Sequence, residues 1–332
     1  MSATGIDPSF WRKTPVLVTG GAGFIGSHLV EQLVSLGAKV KVAHRTDSDL
    51  SFLEEVRSKI ELAPGDLKNP EFCRGVVSGQ KIVMNLAASV GGIEYNIKHP
   101  ASIFRDNLEV FMNVLEASRL EKVERFLTTS SACVYPRFCS LPTPEEEGFK
   151  DAPEPTNQGY GWAKRMEEFL SASYAQEFGM KIAIARPYNA YGPRDNFNPQ
   201  SSHVIPALIH RALSGENPLK VWGNGDNSRS FLYVKDFARG LILTTEKYPK
   251  ADPVNLGADE EISVRDLIKL ICRLAGTNQK IVFDESKPTG QPRRRCDTRK
   301  AERELGFKTE YSLEKGLKET IEWYQAAHLA RR

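Results

Sequence analysis

No sign of charge dominates this chain. Its 45 Lys and Arg residues stand against 42 Asp and Glu, a formal net charge of +3 over 332 residues, too balanced for the electrostatic footprint of a nucleic-acid binder. A local pocket can still be basic, so anionic small ligands stay open. Cysteine is scarce: Cys73, Cys133, Cys139, Cys272 and Cys296 are odd in number, scattered and without a Cys-x-x-Cys pair. Neither a disulfide framework nor a zinc site is expected, and a reducing, cytoplasmic setting fits best. Long apolar runs are missing too. No stretch approaches the roughly 18 uncharged apolar residues of a membrane span, and the opening MSATGIDPSFWRKTP has no signal-peptide core. Secretion and membrane anchoring are not expected.

What is present is an alternating rhythm. From Pro15 a short apolar run, VLVTG, leads into a glycine cluster and then an amphipathic segment, Ser27 to Leu36, stopped by Gly37. That reads as strand, turn, helix and helix stop. Further strands are expected at Lys39–Ala43, Ile60–Ala63, Lys81–Leu86, Arg125–Thr129 and Lys181–Ala185, with helices near Leu50–Ser58, Ser102–Arg119 and Tyr160–Phe178. The alternation predicts an α/β protein with a Rossmann-like doubly wound parallel sheet. After Asn189 the rhythm breaks into a Pro-, Asn- and Gly-rich loop. Beyond it, helices at Val204–Leu213, Val264–Leu274 and Leu313–Tyr324 mix with short strands such as Leu219–Trp222. We therefore expect a dinucleotide-binding domain over 1–188, completed by strands from parts of 220–260, and a smaller mixed α/β lobe over 189–332, interleaved with it.

Thr19 to Gly26, TGGAGFIG, sets glycines at G-x-x-G-x-x-G between a predicted strand and a predicted helix. The turn must be tight, the backbone must approach a pyrophosphate, and the helix must lie against the strand without an intervening side chain. Gly20, Gly23, Phe24, Ile25 and Gly26 are thus cofactor candidates. At the end of the second strand, NAD-binding domains usually carry an acid for the ribose hydroxyls. Here His44 and Arg45 stand instead, with no acid until Asp47. An arginine suits a 2′-phosphate, so NADP(H) is favoured and NAD(H) stays possible. Asp66 and Leu67, after the third strand, are candidate adenine contacts, although Asp at a strand end is also a common helix cap.

Tyr160 and Lys164 lie four residues apart in YGWAK, on one face of a helix. A phenol is a poor acid or base at neutrality, but a neighbouring ammonium and an oxidised nicotinamide both favour the phenolate. The Lys can also hold the cofactor ribose. About thirty residues upstream, Ser130-Ser131 closes a strand, where a hydroxyl can bond a substrate oxygen beside the Tyr.

TGGAGFIG, NLAA at Asn85–Ala88, SSACVY at Ser130–Tyr135, YGWAK, and RPYNAYGP at Arg186–Pro193 resemble the extended short-chain dehydrogenase/reductase family of nucleotide-sugar enzymes. The resemblance covers nearly the whole chain. Within the family, VGGIEYN at Val90–Asn96, EPTNQGY at Glu154–Tyr160, DNFNPQSSHVIPALI at Asp195–Ile209 and DESKPTGQPRR at Asp284–Arg294 are similar to the bifunctional enzymes acting on GDP-4-keto-6-deoxymannose. Those epimerise C3 and C5 and reduce C4.

The resemblance implies that Ser131, Tyr160 and Lys164 form the reductase triad, with Cys133 as base and His203 as acid for epimerisation. That chemistry wants one group to take a proton from carbon and another to return one on the opposite face. It adds Leu86, Ala87, Ala88 and Pro187 to the cofactor site. It also gives Arg211, Arg229 and Arg294 to the nucleotide diphosphate, with Asn189, Val204 and Trp222 in the same pocket. Arginine forks match phosphate oxygens bidentately. A homodimer through the Ser102–Arg119 and Tyr160–Phe178 helices is implied as well.

Two departures keep a second reading open. The segment between the second and third strands is longer than in those reductases, and Ala132 stands between Ser131 and Cys133, as in GDP-mannose 3,5-epimerases. Both point to a redox-neutral epimerase that retains NAD. Asp195-Asn196-Phe197, Ser202 to Pro206 and Arg45 point to the reductase. A non-catalytic cofactor sensor is the third reading, and the intact Ser131, Tyr160 and Lys164 argue against it.

Overall fold

Short apolar strands that alternate two faces build the centre of the molecule. In the computed structural model, which describes residues 5–199, 201–286 and 292–329, six of them are β1 (Pro15–Thr19), β2 (Lys39–His44), β3 (Ile60–Pro64), β4 (Ile82–Asn85), β5 (Arg125–Thr129) and β6 (Ile182–Pro187). Gln200 and residues 287–291, parts of two of the quoted segments, lie outside the described residues. The six join Pro253–Leu256 in a seven-stranded sheet, ordered from that strand through β6, β5, β4, β1 and β2 to β3, and every pairing is parallel.

Both faces of the sheet are covered, which is why its strands read as continuous apolar runs. Val16 and Val18 point to one face, where they pack with Leu29, Leu33, Phe237 and Leu241 from the helices Phe24–Ser35 and Val234–Lys247. Leu17 points to the other, where Val76, Phe111, Val114 and Leu115 come from the helices Pro70–Val77 and Pro100–Leu120. The helix Gln158–Phe178 packs along Pro100–Leu120. Its end is set by Gly179 at φ +66°, a left-handed stop that glycine adopts without strain.

A second core lies in the later part of the chain. The helices Val204–Leu213, Val264–Ala275 and Leu313–Leu329 gather Ile205, Ile209, Leu267, Ile271, Leu317 and Ile321 around the strand Leu219–Trp222. Ser263 caps Val264–Ala275 by accepting the Asp266 amide, and Gly276 ends it at φ +67°. The expected helix near Leu50–Ser58 is a 3₁₀ helix over Ser51–Lys59, and the loop after Asn189 holds a two-residue strand, Ala190–Tyr191, paired with Leu232–Tyr233. Among the described residues no helix is long and apolar enough to cross a membrane. No group of three or more His, Cys, Asp or Glu side chains there could hold a metal ion.

Candidate active site

The strand order reverses at β1, which sits between β2 and β4. In a parallel sheet that reversal opens a crevice at the carboxyl ends of the strands. TGGAGFIG crosses it. Gly20 has φ +67°, and a Cβ there would lie 3.0 Å from the Ala87 amide nitrogen and 3.1 Å from the Leu86 carbonyl carbon. A Cβ on Gly26 would collide with the Gly20 carbonyl oxygen, so the helix seats directly on the turn. Gly23 is the N-cap of Phe24–Ser35 and no side chain caps that end. Its first amides therefore remain available to an anion. Thr19 links the two strands at the crevice: its hydroxyl donates to Asn85 Oδ1 at 2.6 Å and accepts the Leu86 and Ala87 amides at 3.1 Å.

The residues around this cradle fit a dinucleotide. His44 ends β2 with Nδ1 2.8 Å from the Arg45 carbonyl oxygen, while its Nε2 is buried without a partner among the described residues. Arg45 is largely exposed, 3.2 Å from Asp47. Asp66 accepts the Lys68 amide at 2.9 Å, a turn-capping bond that occupies one of its oxygens, and Leu67 is buried. Pro187 closes β6 opposite Leu256.

Tyr160 lies in the first turn of Gln158–Phe178, and Lys164 one turn on, with Nζ 5.6 Å from the centre of the Tyr160 ring. Lys164 is buried and donates to the Thr129 carbonyl at 3.0 Å and to Glu167 Oε2 at 2.8 Å. An unpaired ammonium there would cost several kcal/mol, so the two acceptors are what let it stay charged. The phenol of Tyr160 is pushed up to about 12 by burial, while Lys164 and a hydrogen bond with Ser131 pull the other way. Ser131, Tyr160 and Lys164 thus lie together: helical spacing pairs the last two, and the fold brings Ser131 to the phenol.

Ser131 also accepts the Cys133 amide at 3.1 Å, starting a 3₁₀ turn over Ala132–Val134. A Cβ on Gly161 would stand 2.5 Å from the Cys133 carbonyl oxygen, so this glycine lets the Tyr160 helix press against the Cys133 turn. Asn157 donates to Cys133 Sγ at 3.8 Å. Sequence reasoning missed Asn157, although EPTNQGY contains it. His203 is the exposed N-cap residue of Val204–Leu213, and the neighbouring Ser201 carbonyl lies 3.7 Å from a Cβ built on Gly92. The helix that follows Gly92, Ile93–Lys98, packs against the turn Pro155–Asn157. The Cys133 and His203 segments therefore both border the Gly92–Asn157 region.

Two of the three arginines converge. Arg293–Arg294 pairs in parallel with Ser228–Ser230, setting Arg294 opposite Arg229. Arg229 donates to the Ser228 carbonyl at 2.7 Å, and Arg294 donates to the Ala132 carbonyl beside the triad. Burial, and then the charge of Arg294, hold Arg229 down at about 10. Asn189 reaches the same strand, donating to the Ser230 carbonyl at 2.8 Å. Arg211 is engaged elsewhere, in a two-pronged pair with Glu216 at 2.5 and 2.7 Å. Val204 and Trp222 are exposed apolar side chains, at 38% and 62%.

Behind the triad lies a buried ion pair. Glu168 holds Arg186 through bonds of 2.8 and 2.7 Å and also accepts from the Ser130 hydroxyl. Arg186 donates to Tyr135 Oη at 3.1 Å, and Tyr135 donates to Asn255 at 2.5 Å. Helix, triad turn and sheet are locked together at this point. Asn107, from Pro100–Leu120, pins the loop after β4 by exchanging two 3.0 Å bonds with Ser89.

A doubly wound sheet with a glycine cradle at its reversal point, and a Tyr and Lys beside it, defines a nicotinamide-dependent enzyme. The chain belongs to the NAD dependent epimerase/dehydratase family, which it matches over residues 16–257. It is an enzyme of the NAD(P)-dependent epimerase/reductase class expected from the sequence. It is 36% identical over 314 residues to the probable GDP-L-fucose synthase 1 of Oryza sativa subsp. japonica, covering 93% of this chain and 91% of that protein. Among solved structures, the UDP-glucose 4-epimerase of Thermotoga maritima, determined with UDP-glucose, superposes with a TM-score of 0.85 at 29% identity, covering 94% of this chain and 99% of that one. A GDP-L-fucose synthetase from Naegleria fowleri, bound to NADP, does so with a TM-score of 0.80 at 26% identity, covering 96% of each.

Proposed function

We propose that this protein is a GDP-L-fucose synthase: it epimerises C3 and C5 of GDP-4-keto-6-deoxymannose and reduces C4 with NADPH. The observation that carries the reading is the union of two sets of groups on one turn. Ser131 bonds Tyr160, and two residues on, Cys133 receives the Asn157 amide. A reductase alone needs only the first set.

In this reading Ser131 holds the C4 oxygen, which acidifies the hydrogens on C3 and C5. Cys133 removes a proton from one face and His203 returns one on the other. NADPH supplies the hydride for C4 when bound over Gly20, Gly23 and Gly26. Tyr160 then gives its proton to the C4 oxygen, and Lys164 holds the cofactor ribose. The orphaned His44 nitrogen and the exposed Arg45 support a 2′-phosphate beside β2, hence NADP(H) over NAD(H). Arg229 and Arg294 take the diphosphate, with Asn189, Val204 and Trp222 lining the nucleotide. Arg211 joins them only by leaving Glu216.

The dinucleotide falls to residues 1–188 with Pro253–Leu256, and the nucleotide sugar to 189–332. Exposed Met112 and Phe169, on the packed helices Pro100–Leu120 and Gln158–Phe178, support a homodimer through those helices. Five free cysteines and a working thiol suit the cytoplasm. Turnover in D₂O tests the reading: the product should be GDP-L-fucose carrying deuterium at C3 and C5, and unlabelled product would remove Cys133 and His203 from it.

Ala132 favours a second reading, a redox-neutral nucleotide-sugar epimerase. NAD carried through purification and released only on denaturation would mark it.

A further inference from the structure

Two carboxylates, Glu167 and Glu168, follow Lys164 by about one turn of its helix, and the Arg186 pair uses only Glu168. Glu167, three residues on and therefore on the same face, points at the ammonium itself. Its Oε2 is 2.8 Å from Lys164 Nζ, with side chains 2% and 4% exposed. Lys164 has three N–H donors. Thr129 and Glu167 take two of them, which aims the third.

We propose that Glu167 is a positioning residue of the reduction: it fixes Lys164 Nζ and offsets its charge, so that Tyr160 stays a protonated donor through the neutral range. The inference rests on the reading of Tyr160 as the group that protonates the C4 oxygen. The titratable groups facing Tyr160 are Lys164, Cys133 and Glu167, and those facing Lys164 are Glu167, Tyr160 and Glu168. Glu168 is itself neutralised by Arg186. Burial, and then Cys133 and Glu167, hold the phenol neutral, whereas Lys164 draws it toward phenolate. Burial also raises the Glu167 carboxyl, against the pull of Lys164. A ketone reduction consumes one proton from Tyr160 Oη at the C4 oxygen, and solvent returns it between turnovers. A phenol kept neutral therefore keeps the proton-donating form of the enzyme populated at the start of each reduction.

The test is a titration of full-length protein labelled with ¹³C at tyrosine Cζ, the Tyr160 resonance being assigned by its loss in Tyr160→Phe. In Glu167→Gln, which keeps an acceptor and removes the charge, the Tyr160 midpoint should fall by about one pH unit or more. The alkaline limb of kcat should move down with it. Glu167→Asp, which withdraws the carboxylate by one methylene, should shift both in the same direction by less, and decides the matter if Glu167→Gln does not fold. A midpoint that stays at the wild-type value in a folded variant overturns the proposal. The two readouts separate the claims: a shifted phenol in a protein that turns over no 4-keto sugar sinks the substrate reading and leaves the tuning intact.

Discussion

Arg294 stands opposite Arg229 in the parallel pairing of Arg293–Arg294 with Ser228–Ser230. Two guanidinium groups held side by side, one of them with its charge disfavoured by burial and by the other, are the observation on which the proposed diphosphate site rests. Arg229→Gln should therefore raise KM for the nucleotide sugar by about tenfold to a hundredfold, the effect of losing a charge-assisted hydrogen bond worth roughly 1.5–3 kcal/mol. Its kcat should change little. Steady-state kinetics check this, and an unchanged KM would separate Arg229 from the diphosphate.

Tyr160→Phe keeps the ring between Ser131 and Lys164 and removes the hydroxyl, and with it the proton and the bond to Ser131. We expect kcat for 4-keto reduction to fall by roughly 10²- to 10⁴-fold, the usual worth of a general acid. NADPH affinity, measured by fluorescence titration, should hold. A comparable loss of affinity would assign Tyr160 to binding rather than chemistry.

Cys133→Ser should retain 4-keto reduction and lose exchange on carbon. Asn157→Ala, which leaves the sulfur but removes the amide 3.8 Å from it, should reduce exchange to an intermediate level. His203→Gln should impair or misdirect epimerisation. Proton NMR of products formed in D₂O reads all three, and wild-type deuterium at C3 and C5 in Cys133→Ser would show that another group is the base.

The Glu168–Arg186 pair is almost fully buried, at 3% and 2% exposure. Breaking such a pair leaves one charge stranded, at a cost of about 3–5 kcal/mol. Arg186→Met should lower the urea midpoint accordingly at neutral pH. Its denaturant slope should stay the same. A midpoint within error of wild type would mean that the pair does not hold the helix to the sheet.

Much of this architecture was legible because its signals are local. The glycine turn, the strands β1 to β6 and the Tyr160 helix each carry their own period or stop residue, and observed bounds differ from expected ones by a few residues. The helix Val234–Lys247 was not legible. Its polar residues do not mark a solvent face, because they are buried: Asp236 pairs with Arg239, and Thr244 and Thr245 satisfy their hydroxyls on the carbonyls of Gly240 and Leu241. Pro70–Val77 was overlooked despite a good start signal, Asn69 as cap and Pro70 in the first turn. The site divided in the same way. Tyr160 and Lys164 are one helical turn apart, so spacing alone pairs them. Asn157 with Cys133, Asn107 with Ser89, and Glu168 with Arg186 are meetings between distant segments, which only the fold brings about.

The central claim is net reduction of a GDP-4-keto-6-deoxy sugar, and NADPH oxidation on adding GDP-4-keto-6-deoxymannose to the purified protein tests it most directly, with NADH in parallel. The account predicts one NADPH consumed per sugar and a slower reaction with NADH. No oxidation of either cofactor, in a protein that still exchanges solvent deuterium into the sugar, would contradict it.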